Sequence, residues 1–191
     1  MRLAMDVDMD ALEQLAHLPA DRAAREAGRL LEALAAQPAF LRAQILPLLR
    51  EAAPAGEPRI ASAVTSPGGG CSLQVFVWPA GARTPIHDHT SWGAYHCVVG
   101  SLFEERFTRL DGGEQPERAH LRAGPRRPLR RADGASTVGP YAEGIHRISN
   151  PFGRPAISVH LYGPRMGSLD GRDYDPSRDF VCDRYEPELA A

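Results

Sequence analysis

The chain has 191 residues, 43% hydrophobic and 24% charged, with a formal net charge of -2. That length suffices for one domain with a sizeable core, and that charge supplies neither a basic face for nucleic acid nor a polybasic anchor for a membrane. Residues 1–10, MRLAMDVDMD, place three acids where a secretory signal needs apolar residues. No apolar run approaches the ~20 residues that span a bilayer. Cys71, Cys97 and Cys182 stand far apart without a C-x-x-C pair, so the expected compartment is the reducing cytoplasm.

Residues from about Asp8 to Arg50 carry Leu12, Leu15, Ala24, Leu31, Leu34, Ile45 and Leu48 at helical spacing, punctuated by Pro19, Pro38 and Pro47. Ala52 to Arg59, with Pro54, Gly56 and Pro58, reads as a linker. The pattern then turns to short strands. SLQVFVW at Ser72–Trp78 is rich in β-branched and aromatic residues, and further strands are expected at Ala94–Val99, Leu102–Leu110, Arg118–Ala123, Thr137–Val138, Gly144–Ser149 and Ala156–Tyr162. Gly and Pro clusters at short intervals favour a β-sandwich or barrel over alternating βα units. The expected division is a helical segment, 1–55, packed on a β domain, 56–191. The part after Pro164 is expected to be an irregular surface tail, and the arginines at 126, 127, 130 and 131 a solvated strand and turn.

Chemistry concentrates around three histidines. His87 and His89 sit two apart, so in extended chain both imidazoles face one side and can share a metal ion. Gly81 lies six before His87, Gly93 four after His89, and Gly100 seven after that. This spacing is similar to the first motif of the cupins, G-x5-H-x-H-x3-E-x6-G, with Gly93 standing where the motif has its carboxylate. His146, in Gly-Ile-His-Arg-Ile-Ser-Asn, is the expected third ligand. Three neutral imidazoles leave a divalent ion with its full charge and so favour an anionic partner such as a thiolate. His17 and His120 have no such context, and His96 is expected no closer than behind the ligands.

Ser158, His160 and Tyr162 alternate along the last strong strand, so their side chains share a face and can form a hydrogen-bonded relay. With the histidine spacings, this S-x-H-x-Y pattern resembles the thiol dioxygenases, the branch of cupins that includes cysteine dioxygenases and 3-mercaptopropionate dioxygenases. The resemblance covers about Ser72 to Pro164. It implies a mainly β, jelly-roll cupin barrel preceded by helices, with iron(II) held by His87, His89 and His146. It also implies a catalytic Tyr162 oriented by His160 and Ser158, and a small thiol oxidised to a sulfinate by O2.

Two departures bear on the substrate. Cysteine dioxygenases of eukaryotic type carry a cysteine that crosslinks to the tyrosine, and Ala94 occupies the corresponding position, with Cys97 on the opposite face. They also hold the substrate carboxylate with an early-strand arginine, whose place falls near Ile60 or Ala61 with Arg59 only adjacent. The stretch WPAGARTPIHDHTSWG at Trp78–Gly93 is closer to the bacterial mercaptopropionate branch, in which the arginine follows the tyrosine; Arg172 and then Arg165 are the candidates. The expected substrate is therefore 3-mercaptopropionate, with cysteine clamped by Arg59 as the alternative. A non-enzymatic, ligand-binding cupin and a zinc or nickel isomerase or hydrolase are the rivals from other classes.

Overall fold

The computed structural model describes residues 8–51, 56–164 and 169–185. Its first helix, α1 (Met9–Ala16), starts where the Asp8 carboxylate accepts from the amides of Asp10 and Ala11, both at 3.1 Å. In α2 (Ala20–Ala36) the buried stripe is Ala23, Ala24, Ala27, Gly28, Leu31, Leu34 and Ala35. Its small residues let the helix lie close on the sheet below. A short α3 (Pro38–Phe40) runs through a π-helical turn, Leu41–Ile45, into α4 (Leu46–Glu51). The wide turn lies immediately before Pro47, which has no amide hydrogen to continue an α-helical ladder.

Strands β1 (Arg59–Thr65), β2 (Ser72–Trp78), β9 (Ala156–Tyr162), β4 (Gly93–Val99) and β7 (Ser136–Val138) form one antiparallel sheet in that order. The second sheet runs β11 (Phe180–Tyr185), β10 (Leu169–Asp175), β3 (Ile86–His87), β8 (His146–Ser149), β5 (Ser101–Arg109), β6 (Leu121–Arg130). The molecule is thus mainly β, as expected, with helices leading in.

Alternation in the first sheet separates two environments. Leu73, Val75, Val77, Ile157, Val159, Leu161, Ala94 and Val98 face the helices and share a core with Leu12, Leu31 and Ile45. Burying each large aliphatic side chain there contributes about 1.5–3 kcal/mol. The opposite face, with Trp78, Tyr95, Cys97 and Ala156, packs on Leu102, Leu129 and Ile148 of the second sheet. His160, Tyr162 and Gly93 belong to this inner face by register.

Three segments depart from the sequence expectations. Strand β1 begins inside the expected linker, where I-A-S-A-V-T is too short and small to signal itself. Strand β6 extends to Arg130 despite Gly124, Pro125 and Pro128, which is possible because it is the edge of its sheet. Among the described residues after Pro164, the chain over 169–185 is not irregular: β10 and β11 form a hairpin, and β10 pairs Asp173 with His87. Its many aspartates hide a strand pattern because their partners are arginines and backbone amides rather than an apolar layer.

Candidate metal centre and its pocket

His87 pairs with Asp173 on one side and His146 on the other. The chain stays extended beyond β3, since the amide of Asp88 donates to Arg172 O at 3.0 Å and that of Thr90 to Asp170 O at 3.3 Å. His87 and His89 therefore project to one side and Asp88 to the other. Asp88 has no exposed surface. Its carboxylate accepts from Arg172 N, Nε and Nη2 at 2.8, 2.9 and 2.7 Å, and from the Tyr174 hydroxyl at 2.6 Å. Gly171 makes this pinning possible, because a Cβ there would collide with the backbone oxygen of Asp88.

The ligand atoms of His87, His89 and His146 lie within 4.8 Å of one another. His87 Nδ1 is 3.1 Å from Pro85 O, His146 Nδ1 is 3.0 Å from the Tyr95 hydroxyl, and His146 Nε2 is 3.4 Å from His89 Nε2. Burial first, and then neighbouring positive groups, push His87 and His89 well below the usual imidazole range. They are neutral, the form that ligates. A second-row backbone or hydroxyl partner on Nδ1 leaves Nε2 to face the centre, and this donor set fits a divalent ion bound by three nitrogens with open positions.

Gly93 lies opposite Tyr162 in the sheet, and the residue beside Tyr162 is thus Gly93 rather than Ala94. Ala94 pairs with Leu161 on the helix-facing side, so the crosslink position assigned to it from sequence is off by one residue. Cys97 pairs with Ser158 and is buried deeper in the inner layer, its thiol pushed up to about 12 by burial.

The alternating triad meets end to end. Trp78 Nε1 donates to Ser158 Oγ at 2.7 Å, Ser158 Oγ is 2.7 Å from His160 Nε2, and His160 Nδ1 is 2.8 Å from the Tyr162 hydroxyl. The Tyr162 ring lies against His89, centroids 4.9 Å apart. Trp78 was not singled out by sequence, although its position on the inner face of β2 places it in line with Ser158.

Behind His146 lies a second buried group. Glu104, without exposed surface, takes the Tyr95 hydroxyl in a short hydrogen bond, Arg106 Nε at 2.8 Å and Ser136 Oγ at 2.9 Å. Burial alone would raise this carboxyl, but His146, Arg106 and Tyr95 hold it down to about 2. Among the described residues His96 takes no part, since it pairs with Val159 on the helix-facing side of β4; His17 caps α1, and His120 lies against Asp179.

A pocket of about 620 Å³ opens over the histidines. Its wall combines apolar Ile60, Phe76, Trp78 and Ile148 with charged Glu57, Asp170, Asp173 and Arg184. Arg184 donates to Asp170 Oδ2 at 3.0 Å, Asp173 Oδ1 at 2.5 Å and Asp88 O at 2.7 Å. Arg172 does not line this wall; its guanidinium is spent on Asp88 and lies over the Tyr141 ring at 5.0 Å. Arg59 pairs with Val77 on the outward side of β1, whereas Ile60, opposite Phe76, reaches the pocket. Arg165 lies outside the described residues.

Residues 57–175 match the family model for cysteine dioxygenase type I. Among solved structures, the chain is similar to a cupin superfamily protein from Desulfitobacterium hafniense DCB-2 (15% identity, 64% of this chain and 92% of that one, TM-score 0.40). It is also similar to the DMSP lyase DddQ from Ruegeria pomeroyi DSS-3 (19% identity, 51% of this chain, TM-score 0.35) and to an oxalate oxidase (21% identity, 50% of this chain, TM-score 0.37). The chain spans 40% of the lyase and 42% of the oxidase. The family match extends over more than half of the chain and includes all three histidines and the whole Ser-His-Tyr alternation, so the chain belongs to the cysteine dioxygenase type I family.

Proposed function

We propose that the chain is an iron(II)-dependent dioxygenase that converts a small thiol to its sulfinate with both atoms of O2. The observation that carries this reading is the convergence of His87, His89 and His146 in a pocket that Tyr162 also lines, with Gly93, at the place where the cupin motif has its carboxylate, paired opposite Tyr162. Three neutral donors leave an ion's charge uncancelled, which favours capture of a thiolate. His87, His89 and His146 would hold the iron, which when bound supplies open coordination positions and the electrons for oxygen chemistry.

The remaining work falls to the chain. Trp78 Nε1 can only donate, so Ser158 accepts from it and directs its own hydrogen to His160 Nε2. His160 Nδ1–H then donates to Tyr162, and the phenol donates on its pocket side, where it orients the substrate and stabilises charge developing near sulfur. Phe76, Ile60 and Ile148 give that space an apolar wall. The cytoplasm remains the proposed location, in keeping with the dispersed cysteines; no described helix is long and apolar enough to cross a membrane.

The substrate is proposed as a thiol carboxylate, 3-mercaptopropionate ahead of cysteine. With Arg172 engaged by Asp88 and Arg59 turned outward, Arg184 replaces them as the candidate carboxylate partner. One observation favours a second reading: Asp170 and Asp173 already outnumber Arg184 on the wall, a balance that suits a thiol bearing an amine. Metal analysis followed by oxygen consumption with 3-mercaptopropionate, cysteine, cysteamine and mercaptosuccinate tests the reading. The expected result is about one iron per chain and oxygen uptake with a thiol, 3-mercaptopropionate fastest and slowed in Arg184→Ala. Cysteamine fastest would select the amine reading, and activity lost only in Arg59→Ala or Arg165→Ala would return the clamp to those residues. Iron bound without oxygen uptake on any thiol would overturn the function.

A further inference from the structure

The relay through Tyr162 serves the substrate side of the centre, and a second relay, unrelated to the triad, stands behind His146. Glu104 accepts from Arg106 Nε at 2.8 Å, Ser136 Oγ at 2.9 Å and Arg127 Nη2 at 3.4 Å. Arg106 is itself held by Ser136 Oγ at 2.8 Å and Thr137 O at 2.7 Å, so the carboxylate sits in a cage fixed to β5 and β7. A carboxylate between two guanidinium groups accepts hydrogen bonds and donates none. The Tyr95 hydrogen is therefore directed at Glu104, which leaves the Tyr95 oxygen as an acceptor for His146 Nδ1 at 3.0 Å. That ordering requires Nδ1 to carry the hydrogen and Nε2 to carry the lone pair, and Nε2 is the atom 3.4 Å from His89.

Without the carboxylate, the phenol could turn its hydrogen toward His146 Nδ1, and the tautomer would reverse, placing an N–H inside the centre. His87 has only a backbone carbonyl behind its Nδ1, whereas His146 has a full negative charge 3.6 Å from its own. We propose that Glu104 is a positioning residue of the metal centre: through Tyr95 it fixes the ligating tautomer of His146 and returns, one side chain removed, the negative charge that Gly93 does not provide. An anion behind a ligating imidazole raises the basicity of the nitrogen that faces the metal. The proposal rests on the metal-binding part of the proposed function and not on its thiol chemistry.

The test uses the metal-free protein and needs neither thiol nor O2. Nitrogen-15 spectra of labelled histidines report which ring nitrogen of His146 carries hydrogen, and titration against a chelator gives iron(II) affinity. The wild type should show a single Nδ1–H form of His146. Tyr95→Phe and Glu104→Gln should lose that single form and bind iron(II) about 10- to 100-fold more weakly. The double variant should be no worse than the weaker single one, because both act through one chain of bonds. Circular dichroism and thermal melting establish that each variant is folded. Should Glu104→Gln fail to fold because Arg106 is stranded, Tyr95→Phe, which keeps that ion pair, decides the matter. An Nε2–H form of His146 in the wild type, or a folded Tyr95→Phe with unchanged iron affinity, would overturn the proposal. A protein that binds iron through this relay yet oxidises no thiol would sink the proposed function and leave this inference standing.

Discussion

Gly93 and Tyr162 share one space: they face each other across β4 and β9, and a Cβ added at Gly93 would lie 3.1 Å from Tyr162 Cδ1 and 3.2 Å from Cε1. The lack of a side chain at position 93 and the placement of the phenol are thus a single structural fact. Val138 Cγ2, at 3.2 Å, closes the other side. Gly93→Ala should push the ring off its rotamer, cost about 1–3 kcal/mol of stability, and slow oxygen uptake while iron remains bound. Thermal melting, iron content and rate together check this; an Ala variant as stable and as fast as the wild type would show that the ring has room to spare.

Tyr162→Phe keeps the ring and removes the donor. Iron content should survive and turnover should fall about 10- to 100-fold. Trp78→Phe should produce a smaller fall through the same chain, since it removes the hydrogen bond that orders Ser158. Mass spectrometry should find no thioether on Tyr162, as Gly93 lies beside it and Cys97 beside Ser158. An unchanged rate at every pH in Tyr162→Phe would remove the phenol from the mechanism.

Arg172 should behave as a structural residue. Its removal leaves the Asp88 carboxylate buried without its cation, a loss of about 3–5 kcal/mol. The His-Asp-His segment would loosen, so iron affinity should fall with stability. Denaturant unfolding of Arg172→Ala with and without metal measures both. If that variant were as stable as the wild type and merely captured substrate poorly, Arg172 would be a clamp after all.

The pH dependence of stability follows from His160. Burial, then the nearby His146, pushes its imidazole down to about 3 from the ordinary 6.5. Between those values the unfolded chain holds a proton on this residue that the folded chain refuses. Stability from this group is therefore complete above pH 6.5 and is lost as pH falls toward 3, by about 1.4 kcal/mol per unit. His87 and His89 act with the same sign in the metal-free protein. Urea melts of metal-free wild type and His160→Asn should run parallel above pH 6.5 and diverge in slope toward about that amount from 6.5 down to 5, and parallel slopes below 6.5 would contradict it.

The parts of this site that sequence revealed were local in register. His87 and His89, or Ser158, His160 and Tyr162, are two apart in extended chain, and period-two alternation alone places them on one face. Asp88 stood in plain view between two ligands, but its partners Arg172 and Tyr174 come from a hairpin whose aspartates read as loop. Glu104 and Tyr95 are hidden for a similar reason. Each looks like an ordinary strand residue until β8 brings His146 against them, and a pairing across 51 residues of chain leaves no spacing signal. Arg184 follows Tyr162 by 22 residues and leaves no spacing signal in the sequence, whereas Arg172, the candidate preferred there, is held by the buried Asp88.

The proposed chemistry places both atoms of O2 on the sulfur of a small thiol. The most direct measurement is turnover of the iron(II)-loaded protein under ¹⁸O2 with 3-mercaptopropionate, cysteine and cysteamine, with mass analysis of the products. The expected product is a sulfinate carrying two labelled oxygen atoms, with one O2 consumed per thiol and no such product from His146→Ala. Disulfide with hydrogen peroxide as the sole product, or a sulfinate whose oxygen comes from water, would contradict it.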